Sequence, residues 1–247
     1  MSDFIQGKSG IRLVHHDPRF LVVHKDPGLA FHTTEKENQR DAGVLQIVRQ
    51  LEARGDIPAG ERLFPVHRLD RITSGILLFA RGRKYANQLG NAFRHNRVDK
   101  VYIALSDRRP KKKQGTVSGD MIRGRGGQWI LTRAKRNPAQ TRFMSVELSG
   151  IRPGMRMYVL KPRTGRTHQL RVALKSLGSP VLGDSLYGRY DMARKEDRAY
   201  LHAAAIRFDL DGKSYQYYDA PAPGNLFAHP DFVRALQSLG DLMALKI

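Results

Sequence analysis

Apolar positions along the chain fall into short uninterrupted runs and short periodic stretches, and the two patterns separate strands from helices. Ile11-Arg12-Leu13-Val14-His15 and Phe20-Leu21-Val22-Val23-His24 flank the turn Asp17-Pro18-Arg19 and predict a hairpin. A second turn, Lys25 to Leu29, places Pro27 and Gly28 for a type II geometry. Val44, Leu45, Ile47, Val48 and Leu51 recur at helical spacing, so a helix is predicted over 42–54, stopped by Gly55 and Pro58. Ile76 to Ala80 is a compact apolar run bounded by Gly75 and Arg81-Gly82-Arg83, which reads as a buried strand. A second helix is predicted over 83–95 with Tyr85, Leu89 and Phe93 on one face, and Lys100 to Leu105 alternates as a strand.

The second half continues in hairpins. Thr116 to Ile122 and Trp129 to Thr132 bracket the basic tip Arg123-Gly124-Arg125-Gly126-Gly127, and 142–148 pairs with 155–161 across Gly150 and Pro153-Gly154. Leu170, Ala173, Leu174 and Leu177 share one helical face, and His168, Arg171 and Lys175 lie on another. By spacing alone Arg171 reads as a surface arginine. Thr167 is the expected N-cap, and the helix's positive end with Arg166 makes an anion site. Gly178 ends the helix, and Gly183 to Gly188 is a loop. Residues 199–210 and 213–218 form a hairpin across Asp211-Gly212, and a terminal helix is predicted over 230–239. Strands outnumber helices and arrive mostly as hairpins, so the expected class is α+β: a mostly antiparallel mixed sheet flanked by helices and loops. With no repeat, low-complexity segment or linker, residues 1–247 read as a single domain.

Composition narrows the chemistry. The chain has no cysteine, which removes disulfides, thiolate metal sites and cysteine nucleophiles. Residues 1–8 lack a signal-peptide apolar core and no apolar run approaches ~20 residues, so a soluble, cytoplasmic protein is expected. Lys and Arg total 43 against 23 acids, a formal net charge of +20. Solubility needs a net charge of only ~2–8. The excess points to a polyanion, nucleic acid first, and because the basic residues are spread along the chain the field belongs to the folded surface.

The densest chemistry lies in His67-Arg68-Leu69-Asp70-Arg71-Ile72-Thr73-Ser74-Gly75. Asp70 stands between two arginines on a loop just ahead of the predicted core strand, a platform suited to a reactive group. Cations within ~4–6 Å favour the ionised carboxylate, so Asp70 is expected to be negative at neutral pH and to act as nucleophile or base. A structural turn with surface Arg–Asp pairing explains the same residues equally well from chemistry alone.

The string His-Arg-Leu-Asp-x-x-Thr-Ser-Gly, complete over 67–75, resembles the catalytic signature of the RluA-type RNA pseudouridine synthases. Further segments resemble that family in order. Val22-Val23-His24-Lys25-Asp26-Pro27-Gly28 is similar to its valine-valine-x-lysine-x-x-glycine segment, and Lys100-Val101-Tyr102 to its lysine-x-tyrosine. Thr164 to Arg171 resembles its third motif, and Leu201-His202-Ala203 with Ala220-Pro221-Ala222-Pro223 its closing signature. Ser179 stands where the family usually has histidine, Tyr200 where arginine is frequent, and the strand ending Phe208-Asp209-Leu210 lacks the usual histidine-proline.

The resemblance implies a cofactor-independent and metal-independent isomerisation of uridine in ribosomal or transfer RNA. Asp70 would attack, Arg171 would pair with it, and Tyr102 would stack on the base. Arg68 would replace the extruded nucleotide, and His67, Thr73, Arg166 and His168 would support the loop or contact RNA. With only about ten residues ahead of the first strand, the amino-terminal RNA-binding domain of many family members is expected to be absent, and a monomer is the default expectation. A non-catalytic RNA-binding protein with the same fold is the alternative, and the basic loops at 108–113 and 123–127 are left open as RNA contacts. A kinase-like reading of His-Arg-Leu-Asp fails on an extra residue and the lack of a glycine loop.

Overall fold

The computed structural model describes residues 9–36 and 39–247, with side chains left out for 34–41. The stretch 1–8, read above for a signal peptide, lies outside the described residues. The chain divides into two compact units, one running to Val98 and taking back Ile206–Ala220, the other Asp99–Ala205 with Pro221–Ile247. Elements are numbered in chain order.

In the first unit, β1 (Ile11–Asp17), β2 (Phe20–Lys25) and β6 (Ser74–Arg81) pair antiparallel in that order, and β5 (Leu63–Pro65) pairs β6 on the same run. A short hairpin, β3 (Thr34–Lys36) with β4 (Gln39–Asp41), was not foreseen. Every residue of β2 and β6 is buried, which explains why both read as continuous apolar runs. Helix α1 (Val44–Arg54) buries Val44, Val48 and Leu51 and ends at Gly55 with φ +80°, a left-handed cap that glycine adopts without strain. Helix α2 (Gly82–Arg94) buries Leu89 and Ala92. Phe20, Ile76, Leu78, Leu89 and Phe208 meet in one core, where Phe20 packs edge-on against Phe208 and Tyr215.

In the second unit, β7 (Asp99–Ser106), β12 (Arg156–Pro162), β11 (Ala139–Glu147) and β8 (Gln114–Gly119) are adjacent in that order, all antiparallel. The basic tip is the turn of a hairpin formed by β9 (Met121–Arg123) and β10 (Trp129–Leu131). Helices α3 (Gln169–Ser176), α4 (Tyr190–Ala193) and α5 (Pro230–Ser238) complete it. Val101, Ile103 and Leu105 enter a core with Met157, Val159, Tyr200 and Phe232. Strand β13 (Leu201–Leu210) contributes Leu201–Ala205 to this unit and Ile206–Leu210 to the first, and β14 (Lys213–Tyr218) pairs with it. The antiparallel α+β class is therefore as expected. No helix among the described residues is long and apolar enough to cross a membrane.

Two buried polar residues end β2. Lys25 is fully buried, and its Nζ donates to the carbonyls of Asp26, Leu29 and Arg71 at 2.9, 3.1 and 3.3 Å. His24, 4% exposed, places Nδ1 2.5 Å from Asp219 and Nε2 2.9 Å from Asp26, while Arg12 pairs with the other Asp219 oxygen. Burial opposes charging of this imidazole, but hydrogen bonds to the Asp219 and Asp26 carboxylates outweigh both that and the nearby Arg12, so its pKa is raised above the ordinary 6.5.

The imidazolium therefore stabilises the fold fully below about pH 6.5, and its contribution disappears as pH rises through the higher folded value. In urea unfolding, the stability gap between the parent protein and His24→Gln is expected to be widest near pH ~6 and to shrink as pH rises. Lys25→Met removes the donor that three buried carbonyl oxygens share and is expected to cost roughly 2–4 kcal/mol in the same assay.

Candidate active site

The signature loop is pinned from behind by main-chain contacts. The Thr73 N–H donates to the Asp70 carbonyl at 3.0 Å, closing a turn whose flanks, Leu69 and Thr73, are 3% and 2% exposed. The Arg71 carbonyl accepts from both the Gly28 N–H at 2.7 Å and Lys25, and the Arg71 Nε donates to the Gly28 carbonyl at 2.8 Å. The predicted type II turn thus grips the loop directly. Gly28 holds φ +93° there, a conformation that a side chain would strain. Asp70 itself is half-buried.

His67 has a structural place. Its Nε2 accepts the Leu78 N–H at 2.9 Å, which fixes the proton on Nδ1, and its ring stacks on Phe93 at 4.7 Å. Strand β5 stops at Pro65, so the side chain takes over where the partner strand runs out. Arg68 is exposed, with its guanidinium 5.9 Å from the centre of the Phe31 ring. Thr73 is buried. Within the first unit, the structure therefore gathers His67, Thr73 and Asp70 on one anchored loop and leaves Arg68 outward.

The other sequence-derived residues belong to the second unit. Tyr102 sits in β7 opposite Leu160, on the strand face away from Val101 and Ile103, sharing that face with Lys100. Burial holds the Lys100 ammonium below its usual range, against the pull of Asp99. On the same face of β12, the Tyr158 hydroxyl donates to Ser179 Oγ at 2.6 Å, and Ser179 donates to the Arg108 carbonyl at 2.6 Å. Ser179, one of the departures from the family pattern, thus closes a buried hydrogen-bond chain.

Helix α3 corrects two expectations. Thr167 is not its N-cap: His168 precedes the first helical residue at φ +58°, with no side-chain cap bond. Gln169 does the work from inside the helix, its Oε1 accepting from the Arg166 N–H at 3.0 Å and from Thr164 at 2.7 Å. Its Nε2 donates to the Gln140 carbonyl and to Thr141, both at 3.0 Å. Arg166 is exposed and its guanidinium donates to Asn137. Arg171 is not a surface residue either: it is 5% exposed, and its Nε and Nη2 donate to Asp184 at 2.7 and 2.8 Å. Its guanidinium lies 4.9 Å from the centre of the Tyr187 ring, and the Tyr187 hydroxyl is 3.0 Å from His168 Nδ1.

Lys25, which braces the signature loop, and Asp184 and Tyr187, which hold Arg171, were not singled out as such from the sequence. A lysine closing an otherwise apolar strand was the available signal for the first. For the others it was a carboxylate and an aromatic ring set between two glycines, Gly183 and Gly188.

The chain is similar to known proteins along most of its length. The family model described as RNA pseudouridylate synthase matches residues 19–176. The chain is 40% identical to an uncharacterized RNA pseudouridine synthase of Haemophilus influenzae over 92% of this chain and 95% of that one. It is 32% identical to the dual-specificity RNA pseudouridine synthase RluA of Escherichia coli over 78% of this chain and 84% of that one. Among solved structures, human RNA pseudouridylate synthase domain containing 1 superposes with a TM-score of 0.72 at 25% identity, covering 97% of both chains. A family match across well over half the sequence, joined to relatedness along almost the full length of a bacterial synthase, means that the chain belongs to the RNA pseudouridylate synthase family, enzymes that isomerise uridine within RNA.

Proposed function

We propose that this protein converts one or more uridines in a ribosomal or transfer RNA stem-loop to pseudouridine, with Asp70 as the attacking group. The observation that carries the reading is the complete 67–75 signature, held on a loop that buried main-chain contacts fix ahead of β6.

The reaction breaks N1–C1′, with the bonding pair leaving on the uracil as a delocalised anion. The base turns, C5 bonds to C1′, the C5 proton is lost and N1 ends protonated. A glycoside hydrolase uses two carboxylates, one to protonate the leaving group. Uracil departs without such help and is retained, so a single carboxylate suffices, as nucleophile at C1′ or as base at C2′. In this proposal Arg171 pairs with Asp70, and Tyr102 stacks on the uracil and assists removal of the C5 proton. Arg68, exposed beside Phe31, fills the stack vacated by the flipped nucleotide. His67 and Thr73 hold the loop, and Arg166 and His168 face the RNA backbone. The net charge of +20 supplies the long-range attraction to RNA. Both compact units serve this one activity, and the protein works as a monomer in the cytoplasm.

Release of tritium from RNA carrying 5-tritiated uridine measures turnover. Asp70→Asn is expected to lower it by ~10²–10⁴-fold or more, with RNA affinity retained. Undiminished release would remove Asp70 from the mechanism. Turnover is expected to be unchanged after exhaustive treatment with EDTA, since no step in this proposal uses a metal ion. Loss of activity that magnesium restores would count against it.

A further inference from the structure

An arginine side chain on its own samples many rotamers, so a guanidinium that must meet a reacting group in one orientation needs to be held. Arg171 is held on two sides. Asp184, 1% exposed, takes both Nε and Nη2 in a bidentate fork, while its Oδ1 also accepts the Leu186 and Tyr187 N–H groups at 3.0 and 3.3 Å. Those backbone bonds hold the carboxylate independently of the arginine. The Tyr187 ring, 2% exposed, lies against the guanidinium face.

The ring is fixed in turn. Its hydroxyl accepts the Trp129 N–H at 2.8 Å, and Lys175 donates to its carbonyl at 2.8 Å. The loop approaches its surroundings closely enough that a Cβ on Gly183 would lie 2.0 Å from the Arg198 carbonyl oxygen. Buried ion pairs add little to stability compared with a well-packed apolar pair. A bidentate, ring-backed and buried arginine is therefore better explained by orientation than by cohesion.

We propose that Asp184 and the ring of Tyr187 are positioning residues for Arg171, setting the direction in which its guanidinium is presented during the reaction. This rests on the reading of Arg171 as the partner of Asp70. A role confined to stitching α3 to the 183–188 loop would change the amount of folded protein and leave the turnover of each folded molecule untouched.

The test uses the whole chain, with tritium release giving kcat and KM and circular dichroism in urea giving the folded fraction. Asp184→Asn is expected to lower kcat by ~10- to 100-fold per folded molecule while KM stays within about twofold. Combined with Arg171→Lys it is expected to lower kcat no further than Arg171→Lys alone, because both changes disable one unit. An impaired Arg171→Lys beside a fully active Asp184→Asn overturns the inference and leaves the reading of Arg171 standing. A fully active Arg171→Lys overturns that reading, and the inference with it. Should Asp184→Asn fail to fold, Tyr187→Phe and Tyr187→Leu decide: loss of the ring in the leucine variant is expected to lower kcat by ~3- to 10-fold relative to phenylalanine. Equal kcat for the two overturns the inference.

Discussion

The Lys25 ammonium, shut away from water at the end of β2, is the interaction on which the signature loop depends. An ammonium has three donors and no acceptor, and here the carbonyls of Asp26, Leu29 and Arg71 receive them. Two of those carbonyls belong to the adjacent turn and the third lies 46 residues away. One buried cation therefore joins a local turn to the segment carrying Asp70. His24, the preceding residue, performs a similar service with the Asp26 and Asp219 carboxylates. The loop is held through its backbone from the protein side, and side chains such as Arg68 remain outward.

The second unit treats its own charged residue in the same way. Arg171 is secured by a carboxylate that backbone N–H groups already hold, and by a ring whose hydroxyl is itself bonded. In both places a charge is placed through polar contacts buried behind it. Such arrangements spend desolvation energy without much return in cohesion, which is the usual sign that geometry is what they secure.

What could be read from the sequence was what is local. Hairpins with Asp-Pro, Asp-Gly or Pro-Gly turns, and helices whose apolar residues recur at three and four, emerged close to their observed limits because neighbours in sequence decide them. The short pair β3–β4 carried no such pattern and was missed. Around α3 the reading failed for a physical reason. Thr167 has good capping chemistry, but Gln169 satisfies the Arg166 N–H from one residue inside the helix, and His168 adopts a left-handed backbone. The burial of Arg171 was equally hidden, because its partner Asp184 lies in a glycine-flanked loop that spacing cannot bring to a helix. The signature loop itself was legible only through resemblance. Its chemistry alone left an ordinary turn as an equal reading.

Strands β2 and β6 are buried along their whole length, and most of their residues are aliphatic or aromatic. A one-residue slip between such strands exchanges one greasy contact for another, so alternation provides almost no protection against misalignment. Phasing is helped by the polar end of β2, where Lys25 reaches the Arg71 carbonyl just ahead of β6. The lysine that braces the signature loop thus doubles as a marker of how the two strands line up.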